Sequence, residues 1–347
     1  MDTGYRGSVQ HRDPGIRSDL RPHFRNRTRG RGPMRGRILV TPRSLTAEPH
    51  PEVERLRGSG FEIVYSSAGQ TPTEEELVEL VPDCIGWLAG VEPVTPRVID
   101  AAGRLRVISR NGVGVDNLPV DLLARRGVKV MIAQGANARG VAELTIGLMF
   151  SALRSIPFAD AGIKAGNWPR RRGMEIHDRV FGIIGCGAVG REVARIAVAL
   201  GARVIAYDPL RPNLDLPSSH FAYSEIDDIV GQAEILSLHC PLPADGSPVI
   251  DRKRLAMARD DVILLNTARA GLVDEDGLIE ALDAGIVGCY ATDVFEPEPP
   301  VSLRLAGHAR VIATSHIGGF TTESIERATR IAADNLINAL SNEEIAR

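Results

Sequence analysis

The chain has 347 residues, 44% of them hydrophobic and 24% charged, with four cysteines and a net charge of −3. Domains cluster at roughly 100 to 200 residues, so two are expected. No apolar run approaches the roughly 18 residues of a membrane span, so a soluble protein with no membrane partner is expected.

Charge is placed unevenly. Residues 1–37 hold ten of the 41 basic residues but three of the 44 acidic ones. This Arg-, Gly- and Pro-rich tail, 1–34, has too few apolar side chains to offset the entropy of ordering and is expected to be disordered. Asp2, Asp13 and Asp19 and the missing apolar face argue against a transit peptide, and there is no signal-peptide apolar segment. The tail reads as a solvated extension rather than a nucleic-acid-binding arm, and no nucleic-acid partner is expected. Cys84, Cys186, Cys240 and Cys289 show neither a C-x-x-C pair nor metal-ligand spacing. Reduced thiols in the cytoplasm and no metal site are expected.

From Arg37 onward, short apolar runs alternate with helical patterns, the signature of parallel sheets with crossover helices. A first series predicts strands at 37–40, 61–65, 85–89, 105–109 and 128–132, a flavodoxin-like set. The segment 141–156, VAELTIGLMFSALRSI, is too apolar for a surface helix and is expected to lie buried between domains. A second series predicts strands at 180–184, 203–207, 235–238, 262–265, 287–291 and 311–314, nearly continuous in apolar residues, as strands covered on both faces are. A terminal helix follows His316, with Ile325, Ala328, Ala332 and Leu336 on one face, and is expected to return to the first domain. The fold class is α/β, with two Rossmann-like or flavodoxin-like parallel-sheet domains and a cleft between them. The substrate domain is expected over 35–136 plus 317–347, and the cofactor domain over 137–316.

The sharpest motif is Gly185-Cys186-Gly187-Ala188-Val189-Gly190, placed after a buried-type strand and before an amphipathic helix. Gly185 permits the tight turn, Gly187 lets a pyrophosphate approach the main chain, and Gly190 lets helix and strand pack closely. The helix N-terminus adds unpaired N–H groups and a positive dipole end. Asp208 ends the next strand, 23 positions after Gly185. An acidic side chain there accepts the ribose hydroxyls and repels a 2′-phosphate, so NAD is expected over NADP; nearby Arg211 is the feature on the other side of that choice.

Three later strands run into polar segments: 262–265 into Asn266-Thr267-Ala268-Arg269, 287–291 into Asp293 through Pro299, and 311–314 into Ser315-His316. All lie at carboxyl ends, where open α/β sheets hold their ligands. A 2-hydroxy acid needs a guanidinium fork for its carboxylate or carbonyl and an acid/base for its hydroxyl proton. Arg269 and His316 supply those groups. Glu298, between two prolines, can accept from the second ring nitrogen of His316 and favour the imidazolium. Singly, each has a plain structural explanation; their joint placement is what argues for chemistry.

With these residues in view, the sequence resembles the D-isomer-specific 2-hydroxyacid dehydrogenase family, in its phosphoglycerate-dehydrogenase-like branch. The resemblance runs from Arg35 to about Ala339. It is carried by SRNGVGVDN (109–117), NARGVAELT (137–145), GIIGCGAVG (182–190), LSLHCPL (236–242), LLNTARAGLVDE (264–275), ATDVFEPEPP (291–300) and SHIGGFT (315–321). It implies that Arg269, Glu298 and His316 are the catalytic residues. It places cofactor contacts at Gly185, Gly187, Ala188, Val189, Gly190, Asp208, Cys240, Pro241, Thr267, Ala268, Asp293, Val113 and the turn His316, Gly318, Gly319. It implies a carboxylate cradle at Asn111, Gly112, Val113 and Gly114, working with Arg269, and a homodimer. His239, beside Cys240, is expected to be structural at least as much as chemical.

There are departures. Phosphoglycerate-specific relatives commonly carry an Arg-Ser pair after the third strand, where this chain reads Leu88-Ala89-Gly90-Val91-Glu92. That speaks against a phosphorylated substrate unless Arg110 or a partner's Arg compensates. The sequence ends at Arg347 without the regulatory amino-acid-binding domain of some relatives, so serine feedback by that route is not expected. Formate-oxidising relatives have an amide where Glu298 stands. The expected function is hydride transfer between the nicotinamide of NAD and C2 of a small D-2-hydroxy acid: 3-phosphoglycerate-like, or the acids related to hydroxypyruvate and glyoxylate. The alternatives are an NAD(H)-responsive corepressor-like scaffold and phosphite-type oxidation on the same fold.

Overall fold

The computed structural model describes residues 34–345; apart from Met34, the basic tail lies outside the described residues. The first series forms β1 (Gly36–Val40), β2 (Phe61–Tyr65), β3 (Cys84–Ala89), β4 (Val107–Arg110) and β5 (Lys129–Ile132). They make an all-parallel sheet in the order β2-β1-β3-β4-β5, the flavodoxin-like order, whose direction of winding reverses between β1 and β3.

The second sheet is larger. It holds β6 (Val180–Ile184), β7 (Arg203–Tyr207), β8 (Phe221–Tyr223), β9 (Ile235–Leu238), β10 (Val262–Asn266), β11 (Val287–Thr292) and β12 (Val311–Ala313). The order β12-β11-β10-β9-β6-β7-β8 is the doubly wound arrangement, with its switch between β6 and β9. β9, β10 and the last four residues of β6 are buried throughout, as their largely apolar sequences lead one to expect, with Ser237 and Asn266 the buried polar members of β9 and β10. β8 was not anticipated: it is a three-residue edge strand paired only to β7.

The apolar stretch at 141–156 is not one helix. A helix runs Ala138–Leu153, and Ser155, left-handed at φ 49°, breaks the chain before a second helix, Ile156–Lys164. The first packs chiefly on the second sheet and the helix Ala188–Ala199, and meets the last helix, Thr322–Ile345, near Gly140. The second has no buried residue.

Thr322–Ile345 lies on the first sheet. A Cβ on Gly86 would come 3.1 Å from Leu340 Cδ1 and 3.2 Å from Leu336 Cδ2, so the helix sits directly on β3. Leu336, Leu340, Ala332 and Ala333 share a buried cluster with Ile38, Val40, Leu88 and Val107. The chain therefore crosses between the sheets twice, once through Ala138–Leu153 and once after β12.

Candidate active site

The glycine-rich turn follows β6 at the switch point. Gly185 has φ +97°, and a Cβ there would lie 2.6 Å from Cys240 N; at Gly190 it would lie 1.9 Å from Gly185 O. No side chain fits at either position. Around Gly187, by contrast, nothing lies within 4 Å of a Cβ position. It is the N-cap of Ala188–Ala199, and no side chain caps that helix. An open approach to uncapped amides at a helix start suits a pyrophosphate. Asp208 closes the unit: Oδ2 accepts the Cys186 N–H at 2.8 Å and Oδ1 the Leu210 N–H at 2.9 Å. Arg211 is drawn aside onto Glu225, 2.7 Å away. These residues fit a dinucleotide whose ribose hydroxyls meet Asp208.

Under this turn, His239 Nε2 bonds Ser237 Oγ at 2.8 Å, and Nδ1 is buried with no partner among the described residues. Burial pushes this imidazole down to about 3, so it is neutral at ordinary pH. Burial likewise raises the Cys186 and Cys240 thiols to about 11. All four cysteines are free thiols.

Arg269, Glu298 and His316 follow β10, β11 and β12, three neighbouring strands. Strands lie about 4.8 Å apart, so the three side chains start from one edge of one sheet. His316 Nδ1 is 2.7 Å from Glu298 Oε2, while Glu298 Oε1 accepts the Phe295 N–H at 3.0 Å. The carboxylate is thus anchored to its own turn, and Nε2 of the ring is left as the outward nitrogen. His316 has φ +54°, a left-handed conformation that costs energy in a non-glycine residue and persists only where its surroundings hold it. Here they do: Asp293, 2% exposed, accepts the Ile317 N–H (2.8 Å) and the Thr314 hydroxyl (2.6 Å) on Oδ1, and the Gly318 N–H (2.8 Å) on Oδ2. A pocket of about 590 Å³ adjoins the pair, walled by Phe295, Pro299, Pro300 and Ile317.

Arg269 is set by the buried amide of Asn266, which donates to the Arg269 carbonyl at 2.8 Å and accepts from the Ala268 N–H at 3.1 Å. Thr267 is tied to Thr145 on the crossing helix at 2.9 Å. The guanidinium donates to Ala268 O (2.8 Å) and to Asp116 Oδ2 (3.1 Å). Asp116 belongs to the turn after β4, so this contact brings the first sheet's edge to the second's. In that turn Asn111, Gly112, Val113 and Gly114 lie together, and a Cβ on Gly114 would be 3.2 Å from Arg269 Nη2. The N–H groups of Gly112, Val113 and Gly114 have no acceptor among the described residues. Open amides facing a guanidinium can hold a carboxylate.

Asn266, Asp116 and the clamping role of Asp293 were not read from the sequence. Asn266 and Asp116 sit inside motifs already singled out, which was the available signal, but what each grips is set only by the fold.

Residues 146–318 match the family described as "D-isomer specific 2-hydroxyacid dehydrogenase, NAD binding domain". The hydroxypyruvate reductase of Thermotoga maritima is 37% identical over 260 residues, covering 73% of this chain and 84% of that protein. The D-3-phosphoglycerate dehydrogenase of Methanocaldococcus jannaschii is 38% identical over 275 residues, covering 78% of this chain and 52% of the other, so this chain spans about half the length of that relative. The crystal structure of a glyoxylate reductase from Paecilomyes thermophila superposes with a TM-score of 0.76 at 28% identity, over 88% of this chain and 95% of that one. With its two parallel sheets and its dinucleotide turn, the chain belongs to the NAD-dependent D-isomer-specific 2-hydroxyacid dehydrogenase family.

Proposed function

We propose that this protein reduces a small 2-oxo acid to the corresponding D-2-hydroxy acid with NADH, and catalyses the reverse oxidation, at the edge formed by Arg269, Glu298 and His316. The His316–Glu298 contact carries the reading: one ring nitrogen is committed to a carboxylate anchored by Phe295, and the other is left for a substrate oxygen. In reduction, the bound nicotinamide supplies the hydride to C2. The His316 imidazolium gives its Nε2 proton to the carbonyl oxygen, Glu298 holds the ring and stabilises its charge, and Arg269 polarises the carbonyl and grips the carboxylate. The amides of Gly112, Val113 and Gly114, in the turn that begins at Asn111, complete the carboxylate's cradle.

On the cofactor side, Gly185, Gly187 and Gly190 shape the turn, the amides of Ala188 and Val189 face the pyrophosphate, and Asp208 takes the ribose. Cys240, Pro241, Thr267, Ala268, Asp293, Gly318, Gly319 and Val113 line the path to the nicotinamide. Residues 35–136 plus 317–347 act as the substrate domain and 137–316 as the cofactor domain, with movement at the two crossings closing the cleft against water.

The working form is a homodimer. The helix Ile156–Lys164 and the residues after it present Ile156, Phe158, Ile163 and Trp168 to the outside, the last 82% exposed, and such an apolar patch suits a second copy of the chain. The four free thiols suit a reducing cytoplasm.

The test is NADH oxidation followed by absorbance with glyoxylate, hydroxypyruvate, 3-phosphohydroxypyruvate and sulfopyruvate. Turnover of at least one is expected, and turnover of none contradicts the reading.

A further inference from the structure

The first sheet has its own switch point, between β1 and β3, and the crevice outside the carboxyl ends of such strands is where open α/β sheets take ligands. Here the chain fills that crevice itself. Glu92, 1% exposed, accepts the Gly90 N–H at 2.9 Å and the Thr41 hydroxyl on one carboxylate oxygen. Thr41 Oγ1 in turn accepts Trp87 Nε1 at 2.9 Å, and Asn117 Nδ2 donates to the Glu92 carbonyl at 2.6 Å. A Cβ on Gly90 would stand 2.7 Å from Glu92 Oε2 and 3.1 Å from Pro42 Cα, so the loops after β1 and β3 are pressed together over the carboxylate.

Arg110, 7% exposed, lies between this plug and the carboxylate cradle. Its Nε donates to Gly114 O at 2.9 Å and its Nη1 to Ala89 O at 3.4 Å. Burial disfavours its charge, and the carboxylates of Glu92 and Asp116 offset that. Burial also pushes the Glu92 carboxyl up, against the pull of Thr41, Gly90 and Arg110. The buried cation nearest the cradle thus spends donors on two carbonyls and has its charge balanced from within. The exposed side chains of the loop are Val91 and Pro93, neither of them a cation.

We propose that Glu92 is a specificity-determining residue of this site: by plugging the β1–β3 crevice and balancing Arg110, it leaves the part of the substrate beyond C2 without a cationic partner. The 2-oxo acids accepted then carry only hydrogen or an uncharged group beyond the C2 carbonyl, and those bearing phosphate or sulfonate there are rejected. A phosphate dianion set beside a buried carboxylate is penalised by like-charge repulsion that neither partner can relieve with water. The inference rests on the NADH-dependent reduction proposed above.

The experiment compares kcat/KM for hydroxypyruvate and 3-phosphohydroxypyruvate, with NADH, in the whole chain and in Glu92→Gln, which keeps the shape and an acceptor oxygen but removes the charge. The unaltered protein is expected to prefer hydroxypyruvate by more than about tenfold, and Glu92→Gln to narrow that preference by about tenfold, mainly through a lower KM for the phosphorylated acid. A wild-type preference smaller than tenfold overturns the inference even if the variant fails to fold, and so does a wild-type preference that Gln leaves intact. Absence of turnover with all four 2-oxo acids overturns the NADH-dependent reading and this inference with it. Turnover with an unaltered preference overturns the inference alone.

Discussion

Asp116 Oδ2 lies 3.1 Å from Arg269 Nη2, joining the turn after β4 to the turn after β10 across 153 positions of sequence. The carboxylate is 76% exposed, and an exposed ion pair contributes little, so a substrate carboxylate can take its place on the guanidinium. Arg269→Lys keeps the charge but loses the planar fork. Its kcat/KM for the best 2-oxo acid is expected to fall about 10²- to 10³-fold. Retention of more than a tenth of wild-type kcat/KM contradicts the role given to Arg269.

Asp293 works on the same edge by holding the backbone around His316. Its two oxygens hold the Thr314, Ile317 and Gly318 donors that keep His316 at φ +54°. Asp293→Ala leaves the buried Gly318 N–H unpaired, which costs about 1–3 kcal/mol, releases the part-buried Ile317 N–H and frees the ring's backbone. Both the denaturation midpoint and kcat are expected to drop; a loss of kcat with unchanged stability indicates a direct chemical role instead.

In the proposed function, cofactor choice is assigned to Asp208. In Asp208→Ser, kcat/KM is expected to fall about tenfold or more with NADH and to rise with NADPH, because the repulsion of a 2′-phosphate is gone while Arg211 stands near. An unchanged NADH to NADPH ratio places the discrimination elsewhere.

His239 sets an acid limit. Its folded-state value is about 3, against 6.5 ordinarily, so between those values the unfolded chain takes up a proton that the folded chain refuses. The stability that depends on a neutral ring is intact above about pH 6.5 and declines as pH falls, by at most about 1.4 kcal/mol per unit. Urea unfolding at pH 7.0 and 5.5 is expected to show a smaller loss in His239→Gln than in the unaltered protein. Equal losses contradict the assignment.

Both sheets were legible because β3, β6, β9 and β10 are largely apolar runs with turn residues at their ends, and five short strands in succession suggest a flavodoxin-like sheet, whose order the fold supplies. β8 was not, since Phe221–Tyr223 is too short to show a period and pairs on one side only. The break at Ser155 fell inside a stretch whose overall apolar character dominated the reading; Arg154 and Pro157 beside it were the local signal, and Ile156 is exposed on the helix that follows. In the site, Gly185, Gly190 and the His316–Glu298 contact could be foreseen from residue type and spacing. Thr41, Glu92 and Asp116 could not: each depends on a loop from a distant strand arriving beside it.

The central claim is that His316, oriented by Glu298, moves the hydroxyl proton. Its most direct test is His316→Ala, assayed for NADH-dependent reduction of the best 2-oxo acid and, separately, for NADH binding by fluorescence titration. The account predicts that kcat falls by about 10²- to 10⁴-fold while the Kd for NADH stays within about threefold of its original value. A kcat within tenfold of the unaltered protein's, with NADH still bound, would contradict it.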